Sequence, residues 1–132
     1  MTSSILDDTK KAVGVSVDDT SFDTDIIMHI NAVLTVLNQI GIGPPEGLMI
    51  SDSSTTWYDL IGEDARLNSV MTYVYIRVRM FFDPPQTAHL IAAFENQYKE
   101  LEYRLSTQRE SVAWVDPTPI DIDEEILDGG TP

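Results

Sequence analysis

The stretch Val70 to Pro85 reads VMTYVYIRVRMFFDPP and is apolar in a two-sided way. At helical spacing, Leu67, Val70, Met71, Val74, Val78 and Phe81 share one face, while Tyr73, Ile76 and Met80 form a second face nearly opposite. Only Arg77 and Arg79, on the flanks, interrupt the apolar surface. A helix apolar on two sides must be covered on two sides, and in a small chain one cover is expected from another copy or a partner. Val74, Ile76, Val78 and Met80 also alternate with Tyr75, Arg77 and Arg79 in a strand-like way. The longer helical stripe and the acids at Glu63 and Asp64 favour a helix from there to Phe82, and Asp83-Pro84-Pro85 stops it.

The same reading places three other helices. A short first one is capped by Ser3 or Ser4, has Asp7 and Asp8 in its first turn and Lys10 and Lys11 in its last, and stops at Gly14. Val15 to Ser21 is loop. A second helix starts at Asp23 as N-cap, with Phe22 stapled on Ile27, and carries the stripe Ile26, Ile30, Val33, Leu34, Leu37 and Ile40 up to Gly41. GIGPPEG at 41–47 is irregular, Leu48 to Ile50 suggests a very short strand, and Trp57, Leu60 and Ile61 suggest one helical turn ending at Gly62. The last helix runs from about Thr87 to Arg109 on the face Leu90, Phe94, Tyr98, Leu101 and Leu105, with Glu95–Lys99 and Glu100–Arg104 as i, i+4 pairs.

Composition changes at Ser111. Residues 111–132 hold six carboxylates and no Lys or Arg, with three prolines and a Gly-Gly pair. Trp114, Val115, Ile120, Ile122, Ile126 and Leu127 make this segment too apolar for a solubilising tail. It reads as an extended arm that binds a partner or its own body, with Trp114 as anchor. The expectation is an all-α bundle of about four helices over 1–110, a short irregular or β excursion, and an extended acidic arm over 111–132.

Net charge is −14 with no cysteine in 132 residues. Disulfides and thiolate metal sites are therefore excluded. The acids at the N-terminus are unlike a secretory signal, and no apolar run is long enough for a membrane helix. Such a charge repels nucleic acid at long range. His29 and His89 lie on different helices without a paired nucleophile, and no GxSxG, phosphate loop or HExxH occurs. His29 follows Asp25 by four residues, which suits a surface hydrogen bond. Asp121, Asp123 and Glu125 have calcium-loop spacing, but Ile126 stands where that loop needs glycine. No catalytic, cofactor or metal residue is expected. Arg77 and Arg79 snorkel to water or pair with acids, or else cross to carboxylates of a neighbouring subunit.

The ordered set SILDDTKKAVGV (4–15), DDTSFDTDIIMHINAVLTVLNQIGIGPPEG (18–47), TTWYDLIG (55–62), TYVYIRVRMFFDPP (72–85) and ENQYKELEYRL (95–105) resembles the head–tail connector, or adaptor, proteins of tailed bacteriophages. The resemblance implies a small all-α virion protein without enzymatic activity. It implies a ring, usually dodecameric, beneath the portal protein, assembled in the host cytoplasm. The ring would extend the DNA channel without specific DNA binding, and would dock the next head-completion (stopper) or tail protein. Tyr73, Ile76, Met80, Arg77 and Arg79 are then the expected subunit interface, and the arm residues the expected partner contact. The competing reading is an acidic DNA mimic that inhibits a nucleic-acid-binding enzyme. Eight bases and an apolar surplus on the body speak against it.

Overall fold

A computed structural model describes residues 3–115. These residues form five helices: α1 (Ile5–Ala12), α2 (Asp23–Gln39), α3 (Trp57–Ile61), α4 (Leu67–Phe82) and α5 (Ala88–Val115). No strand is present among the described residues, and Leu48 to Ile50 is not one. The single bridge pairs Ser4 with Thr56 instead. It joins the entries of α1 and α3, where Ile5 N–H donates to Thr55 O at 3.0 Å and Trp57 N–H to Ser3 O at 3.2 Å.

Local chemistry explains where helices begin. The Ser4 hydroxyl accepts from Asp7 N–H at 3.2 Å and starts α1. Thr56 and Asp59 close a reciprocal capping box on α3. Asp23 does not act as an N-cap; it is the first residue of α2. Its carboxylate instead meets the Lys10 ammonium at 2.7 Å. The start of α4 falls at Leu67, later than Glu63 or Asp64. Asp64 accepts from Arg66 N–H at 2.8 Å and from its guanidinium, a local turn that competes with the helix.

The core lies between α1, α2, α3 and α4. Ile26, Ile30, Val33, Leu34 and Leu37 from α2 meet Val70, Val74 and Val78 from α4 there, all buried. Trp57 is fully buried: its indole N–H donates to Asp8 at 2.9 Å and its ring meets Tyr75 edge-on at 6.0 Å. Asn31 holds the 46–50 segment to α2 like a strand edge, accepting from Ile50 N–H at 2.8 Å and donating to Ile50 O at 3.0 Å. At Gly43 the backbone has φ +97°, which favours glycine, and a Cβ there would sit 3.0 Å from Leu60 Cδ1 and push that side chain aside.

The hairpin of α4 and α5 turns through Asp83-Pro84-Pro85-Gln86-Thr87, with the Thr87 hydroxyl accepting from Leu90 N–H at 3.2 Å. α4 packs against both α2 and α5. α5 continues to Val115, so the first five residues of the segment expected to be extended are helical.

Lys10 is the least expected core residue. Its side chain is 1 % exposed and donates to Val17 O at 3.0 Å besides its pairing with Asp23. The helix-dipole role read from sequence is secondary to this tie, which fastens α1 and the 15–21 loop to α2. Removing one partner leaves the other charge poorly compensated. Lys10→Ala is expected to lower unfolding free energy by about 3 kcal/mol in denaturant titrations, whereas Lys11→Ala should change it by less than about 0.5 kcal/mol.

Candidate functional site

The expected interface residues do not all reach the surface. Tyr73 is fully buried within the chain. Its hydroxyl donates to Glu102 of α5, and Arg77 donates to that same carboxylate oxygen at 2.8 Å and to the Tyr73 oxygen at 3.1 Å. The second apolar face of α4 is thus covered at Tyr73 by the chain's own α5. Tyr73 is buried and Arg77 is paired within the chain itself, as the reading of the arginines as partners of acids has it. The period-3.6 pattern identified the face; it carried no information on which segment would cover it.

Arg77 sits among three rings. Its guanidinium carbon lies 4.4 Å from the Tyr98 ring centre and 5.7 Å from those of Tyr73 and Phe81. Each such approach contributes on the order of 0.5–1 kcal/mol where partly exposed. Phe81 in turn stacks on His29 of α2, with centres 5.4 Å apart and planes 18° off parallel. His29 therefore packs on an aromatic ring, and no bond to Asp25 is found among the described residues. Phe22 meets Phe82 edge-on at 5.4 Å. A continuous aromatic–cation chain thereby links α2, α4 and α5.

Arg79 is exposed, with its guanidinium 5.3 Å from the Phe94 ring centre and its Nε donating to Asp83 O at 3.4 Å. Ile76 and Met80 are half-buried. Trp114 and Val115 fall in the last turn of α5. Ile120, Ile122, Ile126 and Leu127 lie outside the described residues.

The exposed apolar side chains lie elsewhere than expected. Tyr103 on α5 is 72 % exposed, and Met49 beside α2 is 70 % exposed. Phe81 and Leu90, at the turn end of the α4–α5 hairpin, are each about half exposed. Met49 stood inside the expected strand, which gave no exposure signal, whereas Tyr103 lies off the α5 stripe of Leu90, Phe94, Tyr98, Leu101 and Leu105. Beside Met49, an open groove of about 480 Å³ is lined by Leu34, Thr35, Leu48 and Glu46. Among the described residues no group of three His, Cys, Asp or Glu side chains could hold a metal ion, and no helix is long and apolar enough to cross a membrane.

Burial sets the tyrosine chemistry. Burial, then the hydrogen bond to Glu102, pushes the Tyr73 phenol well above its ordinary value. Burial, with a smaller push from the Asp8 charge, raises Tyr75 to about 12. Both shifts favour the protonated, folded form. Their contribution is complete below the unfolded value of about 10 and is lost as pH climbs towards the folded values. Stability should therefore fall between pH ~10 and ~12, as read by denaturant midpoints across that range. The double variant Tyr73→Phe with Tyr75→Phe should be less stable at neutral pH but show a flatter alkaline decline.

No curated protein and no solved structure matches the chain. A family model described as phage connector protein matches residues 5–112, from the first turn of α1 almost to the end of α5. The match takes in every helix just described, so the chain belongs to the phage connector protein family, whose members serve a structural role at the head–tail junction.

Proposed function

We propose that the protein is a virion adaptor that assembles as a ring, dodecameric in the particle, beneath the portal protein. The ring extends the DNA channel and receives the head-completion or tail protein that follows. The observation that carries this reading is the family match across residues 5–112. The chemistry agrees with it. A passage for DNA needs walls that do not bind phosphate, and phosphate binding needs cations. The chain has 22 carboxylates against eight bases. Among the described residues, Lys10, Arg66, Arg77 and Arg104 are engaged with carboxylates of the same chain.

In this reading residues 1–110 are the connector body. Residues 111–132 are the partner-binding arm, with Trp114, Val115, Ile120, Ile122, Ile126 and Leu127 as its apolar contacts. Ile76, Met80 and Arg79 stay near enough to the surface to border a subunit contact; Tyr73 and Arg77 hold the hairpin together. Assembly takes place in the host cytoplasm, where heads are filled. No catalytic step, cofactor or membrane enters the role.

Two experiments test it. Phage lacking this protein should package DNA yet fail to give stable tailed particles in electron micrographs; normal infectious yield would rule the role out. Truncation after residue 110 should cost the helical circular-dichroism signal only the last five residues of α5 but weaken capture on purified portal rings or on the following protein. Full capture by the truncated chain would remove the arm from the docking scheme.

A further inference from the structure

Charge is distributed unevenly over the fold. Residues 1–66 carry eleven carboxylates against three bases, whereas residues 67–115 carry five against five. The α4–α5 hairpin is therefore neutral and the α1–α2–α3 side strongly acidic. Identical copies that met through their acidic sides would repel one another. A contact between the neutral side of one copy and the acidic side of the next avoids that repulsion.

The two sides carry matching features. On α5, Ala92, Asn96, Lys99 and Tyr103 recur at spacings of four and three, forming one exposed ridge. Tyr103 projects from it, 72 % exposed, with Lys99 one turn before it. On the flank of α2 lies the groove of about 480 Å³, with Leu34, Leu48 and Met49 as apolar walls and the exposed Glu46 at its edge. No residue of α5 lines the groove, so within one chain the ridge and the groove are separate surfaces and do not fill each other. Joined between copies they make a head-to-tail contact, the kind that closes into a ring when the rotation per subunit fits.

We propose that the α2/46–49 groove is the docking site for α5 of a second copy, with Tyr103 inserted against Leu48 and Met49 and Lys99 set against Glu46. This rests on the ring reading above and adds to it the surfaces through which the subunits meet. Tyrosine is among the side chains that dominate interface energy, and a rim ion pair sets register and salt dependence rather than most of the affinity.

The absence of native cysteine makes the contact directly testable. The double variant Tyr103→Cys with Met49→Cys should give, on mild oxidation of phage particles and of the concentrated full-length chain, a ladder of covalent oligomers running beyond dimer. Each single variant should give none. In sedimentation, Tyr103→Ala should weaken self-association about 30-fold, as loss of a central anchor does. Glu46→Lys and Lys99→Glu should each weaken it, and the two together should restore it. Particles that contain the protein but yield no ladder, or a double variant that stops at dimers, would overturn the contact while leaving the connector role standing. Particles devoid of the protein would overturn the role itself.

Discussion

The placement of α5 depends on one joint. Tyr73, Arg77 and Glu102 meet in a partly buried triangle in which a single carboxylate oxygen accepts from both the phenol and the guanidinium. The joint settles which part of the chain covers the second apolar face of α4. Arg77 is suited to it because a planar guanidinium can donate in its plane while resting its faces on aromatic rings. The order of contacts along the hairpin, Arg79 with Phe94, Arg77 with Tyr98 and Tyr73 with Glu102, fixes α5 antiparallel to α4. α5 has 28 residues and α4 has 16, so at about 1.5 Å rise per residue α5 is much the longer rod. The chain thus presents a long helix whose inner side is held and whose outer side is open.

That architecture bears on function more than any single residue does. α4 packs against both α2 and α5, and the α1–α2–α3 part of the chain is acidic while the α4–α5 hairpin is neutral. The surplus of apolar surface read in the sequence is real, but at Tyr73 it is satisfied within the subunit. Exposed apolar groups remain elsewhere, Tyr103, Met49, Leu90 and Phe81 among them.

Much of the fold was legible from spacing. Ser4, Gly14, Thr87 and the Asp83-Pro84-Pro85 stop act where local chemistry predicts, because caps and breakers depend on neighbours a few residues away. The α2 stripe is buried at Ile26, Ile30, Val33, Leu34 and Leu37 as its period requires. What could not be read depends on partners distant in sequence. Lys10 looked like a helix-end base until Asp23 and Val17 O were brought to it. Asp23 looked like a cap for the same reason. His29 had a plausible partner in Asp25, yet α4 supplies Phe81. Tyr73 looked like surface because Glu102 lies 29 positions away. In each case a polar group found a tertiary partner that outcompeted the local one.

The claim that α5 covers α4 within a single subunit can be tested apart from assembly. Amide hydrogen exchange should be followed in the full-length chain, diluted until it sediments as a monomer. The account predicts that amides of residues 98–105 in α5 are protected to a degree comparable with residues 70–78 of α4. Exchange of α5 at the rate of an unfolded peptide, with protection appearing only on oligomerisation, would contradict it and return the second face of α4 to the neighbouring copy.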